Sequence, residues 1–183
     1  MTRTLVAGIG YRNLRDHSSG AAIVDRLAAR RWPPHVALED ISYSPIAFAQ
    51  RLEDEPPGRR FERLVVAGSV ARPLRAAGTI TVYRWDRRLP PPEAIQAAVA
   101  EGLTGVISLD HTLVVARHLG ALPAEVIVVE IQPGVHEFGE TFTPAVAAAV
   151  DRACALVTAL ALDETLAARV PTAPLGGLAL VAS

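Results

Sequence analysis

The chain predicts an α/β fold built on a mostly parallel sheet, and three observations carry that reading. Short apolar runs alternate with stretches of helical spacing from one end to the other. The run Val126-Ile127-Val128-Val129 is apolar on both faces, as strands of a parallel sheet covered by helices on each side are. The connection between the third and fourth strands is too short for a crossover helix, so one strand is expected to run antiparallel at an edge.

Taken in order, residues 4–9 form the first strand, which ends in Gly8-Ile9-Gly10. A polar loop with Asn13, Asp16 and His17 follows. Ser18 or Ser19 is placed to cap a helix whose apolar positions are 21–24 and 27–28. Trp32-Pro33-Pro34 stops that helix, and residues 35–41 alternate as a second strand. Pro45 opens a short helix to about residue 52, since proline suits a first helical turn. The third strand covers 63–67 and turns at Gly68-Ser69-Val70. Residues 79–85 have the β-branched and aromatic content of a fourth strand. Helices are expected over 93–102 and from 109 or 110 to 119, with Gly120 as a C-terminal cap. The fifth strand spans 125–131, and Thr143-Pro144 starts a strongly apolar helix that runs to about residue 162. A single domain over 1–162 and a loose tail over 163–183 result, because Pro174, Gly176 and Gly177 interrupt any periodicity.

Composition narrows the function classes. A chain of 183 residues, half of them hydrophobic, buries one sizeable core. A formal charge of −1 gives no basis for a nucleic-acid or membrane-surface partner. No apolar run reaches the ~20 residues that span a bilayer. The N-terminus lacks the charged, apolar and small-residue order of a signal peptide, so a cytoplasmic protein is expected. The one cysteine, Cys154, lies in an apolar helix and reads as a buried thiol.

Two adjacent acid–imidazole pairs carry the chemistry that can be read locally. Asp16-His17 and Asp110-His111 both fall at the carboxyl edge of the inferred sheet, where α/β folds keep their sites. A carboxylate beside an imidazole binds divalent metal or exchanges protons. Plainer roles stay open: Asp16 can accept from backbone amides near the helix start, and Asp110 can cap its helix. His136 with Glu137 and Glu140 forms a third cluster, whereas His35 and His118 are expected to have no role. Gly8-Ile9-Gly10 lacks the third glycine of a dinucleotide turn, where this chain has Asn13. No Gly-x-Ser-x-Gly, phosphate-binding loop or His-Glu-x-x-His occurs, and no catalytic nucleophile can be identified.

Several stretches, in their order and spacing, resemble the hydrogenase maturation endopeptidases. They are Val6 to Gly10 with Asn13 to Asp16 and Gly20; Leu64 to Val70 with Gly78-Thr79-Ile80; Leu113 to Gln132; and Thr143 to Val146. The resemblance implies a three-layer α/β/α sandwich with a five-stranded sheet and one antiparallel strand. It also implies cleavage of the C-terminal peptide of a nickel–iron hydrogenase-type large subunit after metal insertion. That large subunit is then the partner; no cofactor is tightly bound, and nickel arrives with the substrate. Three metal ligands define the family. The first-loop acid falls on His17, with Asp16 matching the Asp before it; the central Asp falls on Gly68; the later His falls near Gly105. Asn13 is displaced by an insertion of Tyr11-Arg12. The implied site is a rearranged metal set of His17, Asp16, Asp110 and His111. Its groove is walled by Asn13, Gly68, Ser69 and Gly105. A non-catalytic relative that binds a metalloenzyme subunit as an assembly factor is the alternative, and a small-molecule or nucleotide-binding domain the second.

Overall fold

The computed structural model describes residues 1–177. The elements in chain order are β1 (Thr4–Ile9), α1 (Ser19–Ala28), β2 (Val36–Asp40), α2 (Pro45–Glu53), β3 (Arg63–Ser69) and β4 (Ile80–Trp85). They continue with α3 (Pro92–Leu103), α4 (Leu109–His118), β5 (Glu125–Ile131), α5 (Pro144–Leu162), α6 (Glu164–Arg169) and β6 (Thr172–Ala173). The strands form one sheet in the order β2-β1-β3-β5-β4-β6. Strands β2, β1, β3 and β5 pair in parallel, and β4 pairs antiparallel with β5. The expected sandwich is therefore present with six strands instead of five.

Alternation along the central strands divides the core in two. Leu5, Ala7, Leu64, Val66, Val126 and Val128 face α2 and α4, where Phe48, Leu52, Leu109 and Leu113 meet them. Val6, Val65, Ala67, Ile127 and Val129 face α1, α5 and α6, meeting Ile23, Leu27, Val150, Val157 and Ala167. Helix α3 lies outside α4, with Ala98 against Val114 and Val115. Helix α5 is long and apolar enough to cross a membrane by length and composition. Its Val146, Ala149, Val150 and Ala153 are instead buried on the sheet, while Asp151 and Arg152 are exposed. Cys154 is buried and unpaired, and burial pushes its thiol up.

Two glycines set how closely α1 approaches the sheet. A Cβ on Gly20 would lie 2.2 Å from the Ile9 carbonyl oxygen and 2.6 Å from that of Ala67, both backbone atoms. A Cβ on Gly8 would lie 2.1 Å from the Gly20 carbonyl oxygen. Neither position accepts a side chain without moving the helix.

The tail differs from the expectation of a loose segment. Asp163 accepts from the Thr165 and Leu166 amides at 2.9 and 3.0 Å, capping the six-residue helix α6. Thr172 and Ala173 then pair with Arg84 and Trp85, so β6 runs alongside β4 and lies outside it. A two-residue strand is too short to leave a periodic signal. The part of the expected tail over 178–183 lies outside the described residues. The Gly20→Ala variant is expected to lose about 1–3 kcal/mol through overpacking. Its denaturant midpoint would fall with the slope of the transition unchanged.

Candidate functional site

The loops that leave β1 and β5 meet at the carboxyl edge of the sheet, although β3 lies between those strands. Residues 10–18 turn tightly, with Asn13 and Arg15 at φ 62° and 38° and a 3-10 turn over Arg15–Ser18. The Gly139 amide donates to the Asn13 carbonyl at 2.9 Å, and the Arg15 amide to the Gly139 carbonyl at 3.0 Å. The Arg15 guanidinium donates to the Thr141 carbonyl at 3.0 Å and to Glu137 at 2.7 Å.

Asp16 is the centre of this junction. Its side chain is fully buried and accepts four hydrogen bonds. Oδ2 accepts from the Gly134 and Val135 amides at 2.8 and 3.1 Å and from the Thr143 hydroxyl at 2.9 Å. Oδ1 accepts from the Thr143 amide at 2.8 Å. Burial alone would raise its pKa, but the donors at Thr143, Gly134 and Val135 outweigh that and hold the carboxyl below its ordinary value. With its oxygens so engaged, Asp16 braces the two loops against each other.

His17, the next residue, faces His136 instead. Its Nε2 lies 3.2 Å from Nδ1 of His136, with the rings edge-on and their centroids 4.6 Å apart. Burial first and the neighbouring His136 second hold the His17 imidazole below its ordinary value, so it is neutral at pH 7.

The second pair is held elsewhere. Asp110, in the first turn of α4, takes a two-pronged ion pair from Arg72, both contacts at 2.7 Å. Arg72 also reaches the buried Glu130 at 2.6 Å. Glu130 accepts further from the Tyr83 hydroxyl at 2.6 Å and from Arg75 at 2.5 Å, and these partners outweigh burial to keep it charged. His111 Nδ1 lies 3.1 Å from Glu101 and makes no hydrogen bond. Ser108, not Asp110, is the N-terminal cap of α4. The expected set of Asp16, His17, Asp110 and His111 is therefore not assembled. Among the described residues no group of three His, Cys, Asp or Glu side chains could hold a metal ion.

The groove residues divide in the same way. A Cβ on Gly68 would lie 2.8 Å from Ile9 Cγ2, 2.9 Å from the Ile9 carbonyl and 3.1 Å from Leu109 Cδ1. Packing leaves no room for a side chain at this position. Ser69 shares a hydrogen bond with Ser19 at 2.6 Å and donates to the Asp16 carbonyl at 2.5 Å, so it too is a brace. Gly105 has φ +85° and opens on free space, and Asn13 is exposed. Sequence reading missed the Arg72–Arg75–Tyr83–Glu130 network. The available signal was Glu130 itself, a charge inside a strand otherwise buried on both faces, which demands cationic partners.

The Asp16→Asn variant is expected to lose about 2–4 kcal/mol, because an amide directs its own N–H groups at donors that need an acceptor. A carboxyl lowered in the folded state stabilises above its unfolded value near pH ~4 and loses that contribution as pH falls through the folded value. Acid unfolding curves of Asp16→Asn should accordingly be shallower than those of the wild type below pH ~4.

No family model matches the chain, and no curated protein does. Solved structures do. The hydrogenase maturating endopeptidase HybD from E. coli is 25% identical, with 87% of this chain and 92% of that one covered at a TM-score of 0.64. The hydrogenase 2 maturation peptidase from Thaumarchaeota archaeon SCGC_AB-539-E09 is 29% identical over 88% and 100% of the two chains, with a TM-score of 0.61. The NiFe hydrogenase maturation protease HybD from Thermococcus kodakarensis, at 19% identity over 87% and 99% and a TM-score of 0.58, shares the fold. This likeness along most of its length supports reading the chain as a diverged relative of the hydrogenase maturation endopeptidases.

Proposed function

We propose that the protein is a maturation peptidase for a nickel–iron hydrogenase-type large subunit. In this reading it removes the C-terminal peptide of that subunit after metal insertion, and His17 and His136 detect the metal the substrate carries. The observation that carries the reading is the facing imidazole pair. His17 stands where the family resemblance puts the first metal-reading acid, and burial keeps its lone pair free of a proton at neutral pH. Two nitrogens 3.2 Å apart are close to the ~3.3 Å separating neighbouring ligands of one tetrahedral ion with metal–nitrogen bonds of ~2.0–2.1 Å. Imidazole suits nickel and zinc alike. The remaining ligands come from the substrate, and a substrate lacking its metal has nothing to bridge the pair. The Asp16 brace holds the two rings together and leaves their outer faces toward the client.

A second reading is supported by Gly68. Its position is walled by Ile9 and Leu109, which removes the central acid and supports a relative that binds the large subunit without cutting it.

One experiment separates the two. The protein is mixed with a nickel-loaded precursor large subunit and the mass of the precursor is followed. A loss at the C-terminus supports the peptidase, a stable complex of unchanged mass supports the binding factor, and neither outcome overturns both. Zinc or nickel titration by calorimetry tests the imidazole pair. Loss of even a supporting partner costs about 10- to 100-fold in metal affinity, so His17→Ala and His136→Ala should each cost at least about tenfold.

A further inference from the structure

The edge of the sheet opposite the imidazole pair holds two arginines whose charge the chain leaves unmet. Arg87 lies two residues past β4 at φ 62°, and its Nη1 donates to the Ala124 carbonyl at 2.9 Å. Ala124 ends the loop between α4 and β5, and Arg117 precedes that loop in the last turn of α4. Both arginines are half-buried, and the Nε atom of each is shut off from solvent without a hydrogen-bond partner. Burial and then the charge of Arg117 hold the Arg87 guanidinium below its ordinary value, so each cation lies in the field of the other. Every other half-buried or buried arginine is paired with a carboxylate. Among the described residues, Arg87 and Arg117 alone are withdrawn from water without one.

The acids beside them in sequence are engaged elsewhere. Asp86 accepts from the Arg88 amide at 3.0 Å and pairs with the Arg88 guanidinium at 3.6 Å. Glu125 is held by Arg63 at 2.5 Å and by Arg84 at 2.9 Å. The end of α4 needs no cation either. The carbonyls of Val115, Ala116 and Arg117 already accept from the Leu119, Ala121 and Gly120 amides. A charge drawn out of water calls for a partner of opposite sign, and here it must come from outside the chain. Residues 120–124, the loop between the two arginines, line a hollow of about 370 Å³. Its apolar lining includes Leu52, Phe61, Leu122 and Pro123. Its charged groups, Arg60 and Glu53, are both exposed and offset each other. Arg87 and Arg117 therefore leave the surroundings of the hollow with positive charge in excess.

We infer that Arg87 and Arg117 form an oxyanion site for a phosphate monoester, whose apolar body rests in the hollow lined by the loop before β5. Guanidinium forks match phosphoryl oxygens in pairs, and a dianion balances two cations. The test is calorimetric titration of the intact protein with phenyl phosphate and with inorganic phosphate, at one ionic strength set by chloride. At pH ~7.5, where the monoester is doubly charged, phenyl phosphate should bind at least about fivefold more tightly than inorganic phosphate. Arg87→Gln and Arg117→Gln should each weaken phenyl phosphate at least about tenfold. Arg117→Gln leaves the Arg87–Ala124 bond in place, so it tests the site even if Arg87→Gln fails to fold. Arg30→Gln, which removes an exposed arginine on α1's side of the sheet, should change nothing. Phenyl phosphate should raise the melting temperature of the wild type and not that of Arg117→Gln. Absence of binding above the chloride background overturns the proposal, as does equal weakening by Arg30→Gln. Equal affinity for the two probes overturns the assignment of the hollow and gives the arginines to free phosphate. His17→Ala should leave phenyl phosphate binding intact, since the site stands apart from the imidazole pair and does not depend on the peptidase reading.

Discussion

A single buried carboxylate holds the carboxyl edge of this sheet together. The loops after β1 and β5 arise from strands that do not touch, and both carry backbone amides with no helix or sheet to satisfy them. Asp16 supplies the missing acceptor, taking three amides and one hydroxyl from the opposite loop. Its own carbonyl is held in turn by Ser69 at the end of β3, so all three central strands converge on one residue. A neutral side chain of the same size offers half the acceptors, and a water there would lack the charge that makes such bonds strong. The facing imidazoles inherit their geometry from this junction, because His17 follows Asp16 directly and His136 follows the amides that Asp16 binds.

The opposite half of the edge is governed by a different balance. Glu130 is nearly inaccessible at the end of β5, and a buried charge persists only when paired. Arg72 and Arg75 bring two positive charges, Tyr83 a hydroxyl, and Asp110 a second negative charge that balances the extra arginine. The network joins the loop after β3 to α4 and β5. Arg75 also donates to the Gly176 carbonyl, and the Gly176 amide donates to Tyr83, which holds the end of the described chain against the same cluster. One half of the edge is thus neutralised and closed, and the other, around Tyr11 and the imidazoles, stays open.

The strands and the long helices were legible because their signals are local. The apolar run of β5, the Thr143-Pro144 start of α5 and the glycines after β1 each depend on a few neighbouring residues. The strand β6 was not legible, because two residues carry no period and its formation depends on the edge that β4 leaves open. The site was legible only in part. Adjacent Asp-His pairs read as ligand pairs in sequence, yet the partner of each Asp is set by residues far along the chain. Asp16 meets amides more than a hundred residues away, and Asp110 meets an arginine in a loop with no regular pattern. Placement of both pairs near one edge was foreseeable, and their division into two separate networks was not.

Gly68 shows how closely the end of β3 is packed. A side chain placed there collides with Ile9 and Leu109, so any larger residue requires trimming the core around it at the same time. Releasing Asp110 from Arg72 likewise unbalances the charges that keep Glu130 buried. Either change taken alone lowers stability. The two constraints are independent, so changing the side chains at this edge of the sheet takes several coordinated substitutions and not one.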